Sequence, residues 1–249
     1  KMKKDQNPDQ LSLQLLGDHR EDYTVDYGLT LDLNGYSLSG LQVSGTLRCF
    51  DSATDDYTGT TQGRLSYTLQ GGQVLPADSY LQVADDRGDS FHRYGMQVTH
   101  INVVPSRAAM GYKAKVYGDE AVMSQIKKAG YELWLEGGDP QAFSKSFNQE
   151  TAQVTLRLQD ILSQEAGLET NLENAQKKVC ARPFLVLNDG TRVKFGTVGY
   201  TFRDAIHRAD NSYSGYNDGQ KKGLQTLGKT YSDVMIGWDV ENFHHADTQ

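Results

Sequence analysis

The run Tyr131-Glu132-Leu133-Trp134-Leu135-Glu136 sets an indole between two carboxylates. In a strand, alternate side chains point to opposite faces, so Tyr131, Leu133 and Leu135 take one face and Trp134 shares the other with Glu132 and Glu136. An aromatic plane beside hydrogen-bonding groups is the means by which a β-protein holds a sugar ring: the ring stacks on the aromatic and the polar groups read its hydroxyls. Tyr80, out of phase with Leu81 and Val83, and the loop pair Tyr213 and Tyr216 are further aromatic candidates. The competing reading of Trp134 is that a C-terminal helix covers its face and makes the indole core.

Other residue patterns are weaker. Asp85-Asp86-Arg87-Gly88-Asp89 contains Arg-Gly-Asp and three hard oxygen ligands suited to calcium. It lacks the every-second-position ligands and terminal Glu of a calcium-binding helix-loop-helix, so a turn between strands is expected. Asp51, Asp55 and Asp56 form a second acidic loop with the same explanation. Ser124-Gln125-Ile126-Lys127 matches a Ser-x-x-Lys motif without the partner motifs of such an enzyme. No GxSxG, GxGxxG, P-loop, HExxH or paired CxxC occurs, so no cofactor is expected, and the metal question stays open at the acidic loops, which could share a calcium ion. Two carboxylates at glycosidase spacing are a spatial feature that no local pattern nominates.

The elements that must position these residues are strands. Leu11 to Leu15, Leu29 to Leu33, Leu41 to Val43, Leu65 to Leu69 and Tyr80 to Val83 alternate with period two. Asn34-Gly35, Asp51 to Gly59 and Gly71-Gly72 break them with turn chemistry. Residues 11–95 therefore read as a β-rich module with antiparallel strands, behind a polar tail at 1–10. A second set, Met96 to Val104, Tyr112 to Tyr117, Tyr131 to Leu135, Val154 to Leu158, Val179 to Leu187 and Arg192 to Thr201, predicts a β-sandwich over 96–202, with Asn188-Asp189-Gly190 as a hairpin turn. Asp119 to Lys128 reads as a short helix, and Lys127-Lys128 suit its C-terminal dipole. After Thr201 the period turns helical, with helices expected at 202–209 and 217–237 in an extension over 203–249 that packs on the sandwich.

Charge and composition narrow the function. Thirty-two acidic against 25 basic residues give a net charge of −7, which disfavours nucleic acid, because counterion release needs clustered Lys and Arg. No apolar run has the length of a membrane span. Cys49 and Cys180 are too few for a disulfide framework or a zinc site; they either pair across the fold or sit as separate buried thiols.

Ile101-Asn-Val-Val104, Gly111-Tyr-Lys-Ala-Lys-Val-Tyr-Gly-Asp-Glu-Ala-Val122, Gly130 to Gly138, Val198-Gly-Tyr-Thr-Phe-Arg-Asp204 and Tyr213 to Trp238 carry a resemblance. Residues 96–240 resemble a repeat-type β-domain of secreted, multi-domain cell-surface proteins of gut Clostridia. The resemblance implies an extracellular accessory role beside carbohydrate-active or adhesive modules and implies no particular binding residue. The expectation is thus a mainly β protein of antiparallel sandwich modules with a helical C-terminal extension. It acts without catalysis as a binding module of an exported surface protein, with a polysaccharide or a surface protein as partner. The alternatives are an adhesin-like or spacer module, then a fragment of a glycan hydrolase.

Overall fold

The computed structural model describes residues 11–53, 62–104, 109–159, 161 and 173–202. Within them the chain is mainly β, with several sheets and little helix. It divides into two units: unit 1 is built from the described residues of Lys1–Gly95 and Val116–Gln125, and unit 2 from those of Met96–Lys115 and Ile126–Gln249. The tail at 1–10, the expected helices between residues 203 and 237, and Asp55, Asp56, Tyr213 and Tyr216 lie outside the described residues. No helix among the described residues is long and apolar enough to cross a membrane.

In unit 1, seven strands alternate between two sheets: β1 (Leu11–Gln14), β2 (His19–Val25), β3 (Gly28–Asp32), β4 (Leu38–Val43), β5 (Thr46–Phe50), β6 (Arg64–Leu69) and β7 (Gln73–Pro76). One sheet has the order β1-β3-β5-β7. The other is β2-β4-β6, continued by β9 (Gly88–Arg93) and β8 (Tyr80–Asp85). Strands β1 to β7 pair in parallel, and only β6-β9 and β9-β8 are antiparallel. This corrects the expected antiparallel arrangement of residues 11–95. The pattern shows that one face of a strand is buried, which holds for either direction; direction is set by whether a turn returns beside the strand or crosses to a facing sheet.

From β1 to β7 every turn crosses, and the chain winds as a two-sided parallel β-solenoid. Leu11, Leu29 and Leu47 are successive partners, each 18 residues from the last. Leu29, Leu31, Leu47 and Cys49 face Val25, Leu41, Val43, Leu65 and Phe91 across one core. The corners require close backbone approach. A Cβ on Gly45 would stand 2.5 Å from the Tyr27 carbonyl oxygen, and one on Gly63 2.1 Å from that of Tyr36. At Asn34-Gly35 both residues take positive φ, 47° and 80°, the left-handed conformation that Gly and Asn tolerate.

Buried carboxylates close the same corner. Asp51 is fully buried, accepts the Gly35 amide at 2.8 Å and the Ala53 amide at 3.1 Å, and also accepts the Gly63 amide. Asp32 accepts from the Asn34 and Ser52 amides, each at 2.9 Å, and from Gln14 Nε2 at 2.8 Å. Burial pushes the Asp32 carboxyl up, but these hydrogen bonds outweigh it and leave the group below its ordinary range.

The expected helix at 119–128 is shorter, α1 (Glu120–Gln125), and belongs to unit 1. Ile126 to Lys128 instead open β12 (Ile126–Leu135), where pairing with β15 (Lys178–Leu187), through a bulge between Ile126 and Lys128, overrides helix propensity.

Unit 2 holds two sheets. One is β10 (Gly95–Val104), β11 (Ala109–Tyr117) and β14 (Gln153–Leu158). The other is β13 (Gln141–Ser146), β12, β15 and β16 (Arg192–Lys194), with β17 (Val198–Thr201) also on β15. The pairs β11-β14, β12-β13, β12-β15, β15-β16 and β15-β17 are antiparallel, as expected of the sandwich. The Tyr112 hydroxyl donates to the Val179 carbonyl, and the Tyr131 hydroxyl to that of Val154 at 3.3 Å, so each sheet is tied to the other across the core. Burial raises the Tyr131 hydroxyl far above its ordinary value. The run Arg192 to Thr201 is two strands, broken at Phe195, whose amide bonds the Pro183 carbonyl at 2.9 Å.

Candidate functional site: the Trp134 face

Tyr131 and Leu133 are fully buried, and Leu135 is half-buried, on the inner face of β12. Glu132 and Trp134 take the outer face, opposite Arg182 and Cys180 of β15. Beyond β15, the hairpin at Asn188-Asp189-Gly190 brings Lys194 opposite Phe184 and Arg192 opposite Val186. Gly190 takes φ 89° and its amide bonds the Leu187 carbonyl at 3.0 Å. One sheet face therefore gathers an indole, a carboxylate and three cations from three strands.

Their geometry is tight. Glu132 is 6% exposed, and its Oε2 accepts from Arg182 Nε at 2.6 Å and NH2 at 2.5 Å. Its Oε1 accepts from Lys194 Nζ at 2.7 Å, with Arg192 NH1 3.9 Å away. The hydrogen bond from Lys194 comes first in holding the Glu132 carboxyl below its ordinary range; burial opposes it and Arg182 adds to it. The Arg182 guanidinium carbon lies 5.5 Å from the Trp134 ring centre, and that of Arg192 lies 4.5 Å from the Phe184 ring centre, within the range of cation–π attraction.

Trp134 is half-buried. Glu132 stands beside it as a neutralised anchor for cations and is not a free carboxylate. Glu136 is exposed at the strand end, where its Oε2 accepts the Lys178 amide at 3.2 Å. Tyr80 belongs to unit 1 and packs against Phe50, ring centres 5.6 Å apart, at the margin of the solenoid core. Of the predicted residues, the structure thus assembles Trp134, Glu132 and Glu136 on one face, and Tyr80 serves packing. Arg182, Arg192 and Lys194 were missed. Alternation around the Asn-Asp-Gly turn was the available signal, since it sets Arg192 and Lys194 in phase with Arg182 and Phe184.

Of the acidic loops, Asp51 is a buried structural acceptor, and the Asp85 to Asp89 run is part of the sheet. Asp85 pairs with Arg64 and accepts the Arg87 amide at 2.8 Å in a turn between β8 and β9. Among the described residues no group of carboxylates, His and Cys is arranged to hold a metal. Cys49 and Cys180 are both free thiols, the first buried in the solenoid core and the second half-buried beside Trp134's strand.

A second polar cluster, unforeseen from sequence, lies in unit 1. Ser90 Oγ is 2.8 Å from His92 Nε2, and His92 Nδ1 is 2.6 Å from Asp119 Oδ2, the bonding order of a hydrolytic triad. Ser90 and His92 are each 4% exposed, and Asp119 is engaged elsewhere. Its Oδ1 accepts the Val122 amide at 3.0 Å as the N-cap of α1, and Oδ2 also accepts from Gln62 Nε2 at 2.8 Å. Burial pushes the Asp119 carboxyl up, and the bonds from His92 and the Val122 amide outweigh it, so the group sits below its ordinary range. With its hydroxyl enclosed, this arrangement clamps α1 to β9.

Comparison with known proteins adds little. No family model and no curated protein matches the chain. Solved structures that overlap part of it include two from Bacillus. A polysaccharide deacetylase from Bacillus cereus is 12% identical with a TM-score of 0.27, over 44% of this chain and 30% of that one. One from Bacillus anthracis designated a polysaccharide deacetylase is 8% identical with a TM-score of 0.25, over 45% and 30%. The chain spans less than a third of either, and overlap at these scores does not establish a shared fold.

Proposed function

We propose that the protein is a non-catalytic binding module of an exported bacterial surface protein, and that it holds a carbohydrate on the Trp134 face. The observation that carries this is the half-buried indole of Trp134 on an outward sheet face, bordered by side chains whose polar heads are fixed in place by Glu132. A flat aromatic surface beside immobilised donors stacks a sugar ring and bonds its hydroxyls without first ordering the site.

The test is intrinsic fluorescence of the wild type and of Trp134→Phe, titrated with soluble dietary and cell-wall glycans. A saturable shift in the wild type that is absent from the variant supports the reading. No shift with any glycan overturns it and transfers the face to protein recognition or to a spacer role.

A further inference from the structure

We infer that the ligand of this face is an anionic polysaccharide, its carboxylate or sulfate groups held by Arg182, Arg192 and Lys194 while a ring lies against Trp134; this rests on the reading of the Trp134 face as a glycan site. The chain as a whole carries a net charge of −7. The outer face of β12, β15 and β16 has the opposite balance. Lys128, Lys178, Arg182, Arg192 and Lys194 share it with only Glu132 and Glu136. A local reversal of sign on an acidic protein draws anions to that face and repels them elsewhere.

Glu132 does not cancel this field. One nearly buried carboxylate faces three cations, leaving two positive charges in excess. The cationic side chains remain reachable, being 32% (Arg182), 46% (Arg192) and 45% (Lys194) exposed. Arg182 spends Nε and one terminal nitrogen on Glu132, and its fork has five N–H donors in all. Glu132 holds Arg182 and Lys194, and Arg192 rests on the Phe184 ring, so an incoming anion does not have to freeze long side chains. Arginine also offers paired donors to planar carboxylates. A neutral glycan would leave the excess charge unanswered.

The experiment titrates wild type, Trp134→Phe, Arg192→Gln and Lys194→Gln with polygalacturonate, carboxyl-reduced polygalacturonate, dextran sulfate, dextran and an oligothymidylate. Tryptophan emission and affinity electrophoresis give the readout. Arg192→Gln keeps the inference testable if Lys194→Gln disturbs Glu132, because Arg192 makes no close bond to that carboxylate. The expected result is binding of polygalacturonate or dextran sulfate at least ~10-fold tighter than of its neutral counterpart, and weakened about 10-fold or more by each charge removal, the lower end for a hydrogen bond to a charged group. Binding also falls as salt rises from 0.05 to 0.5 M, about the range in which the screening length drops below 10 Å. Which of the two anionic polymers binds separates carboxylate from sulfate recognition. Equal binding of the neutral polymers overturns the anionic class and leaves the glycan face standing; no binding of any polymer overturns both. Equal binding of oligothymidylate, or full affinity in both charge variants, overturns the inference as well.

Discussion

Asp119 makes the clamp on α1 measurable. Asp119→Ala removes the N-cap of the helix, which costs about 1 kcal/mol, and exchanges the charged acceptor of buried His92 Nδ1 for the neutral Gln62 amide 2.7 Å away, about 1–3 kcal/mol more. The expected loss is about 2–4 kcal/mol of unit 1 stability, summing those two terms. Asp119→Asn is the informative partner. Its amide oxygen still caps Val122, and the Gln62 amide, now 2.8 Å from Oδ2 and 2.7 Å from His92 Nδ1, can turn so that its oxygen accepts from both the asparagine Nδ2 and His92 Nδ1. Asparagine is therefore expected to cost under about 1 kcal/mol at neutral pH, as every buried group keeps a partner. The two forms also differ with acid. The folded Asp119 carboxyl is held below its ordinary range, so it contributes stability above its unfolded pKa of about 3.9 and loses it as pH falls through the folded value. The gap between wild type and Asp119→Asn should close across that window. Hydrogen exchange at the Val122 and Met123 amides, with thermal unfolding by circular dichroism at pH 7 to 3, measures both effects. The reasoning is refuted if Asp119→Ala lies within about 0.5 kcal/mol of wild type, the usual scale of an unimportant surface change.

Three further outcomes follow from the solenoid. Asp51→Ala strips the acceptor from the Gly35, Ala53 and Gly63 amides and should lower stability in urea by about 3 kcal/mol or more, at 1–3 kcal/mol per unmet buried group; an unchanged midpoint would show that water replaces the carboxylate. Gly63→Ala forces a Cβ to within 2.1 Å of the Tyr36 oxygen and should cost about 1–3 kcal/mol. Gly17→Ala, with nothing within 4 Å, should be neutral or stabilise by up to about 1 kcal/mol, so equal melting shifts for the two would discredit the close-approach argument. Thiol titration should find Cys180 reactive in the native protein and Cys49 only after unfolding, since burial raises both thiols and Cys49 lies in the core; rapid native reaction of two thiols would contradict the described core.

Many strand positions were legible because half-burial writes itself as alternation, and Leu29-Thr-Leu-Asp-Leu became β3 followed by the Asn34-Gly35 corner, while β2, β7 and β9 went unread. Strand direction was not. The signal for it was the recurrence of Leu11, Leu29 and Leu47 at a fixed interval, a repeat obscured because Asp51 takes the corner place corresponding to Leu15 and Leu33. β13 was missed since all six of its residues are exposed, which leaves no buried face to create a pattern. At the site, Trp134 and Glu132 were readable from one segment. The cations were not, because a charge acquires meaning only from the residue across the strand, and Glu132 meets Arg182 at a separation of 50 positions. Ser90, His92 and Asp119 were hidden for the same reason.

The solenoid's register has a bearing on how such a chain changes length. From β3 to β5 partners are 18 residues apart, and from β5 to β7 they are 27 apart, as Thr46 opposite Gln73 shows, yet both ladders remain parallel and continuous. Nine additional residues are thus absorbed at the corners without moving any strand by a single step, which would have exchanged its inner and outer faces. Each coil meets only its neighbours, so whole coils can be duplicated or deleted while corner loops lengthen independently. Genetic change can therefore alter the reach of this unit in coil-sized increments, and decorate its corners, while the buried ladder of Leu29, Leu47 and Val74 keeps the same architecture.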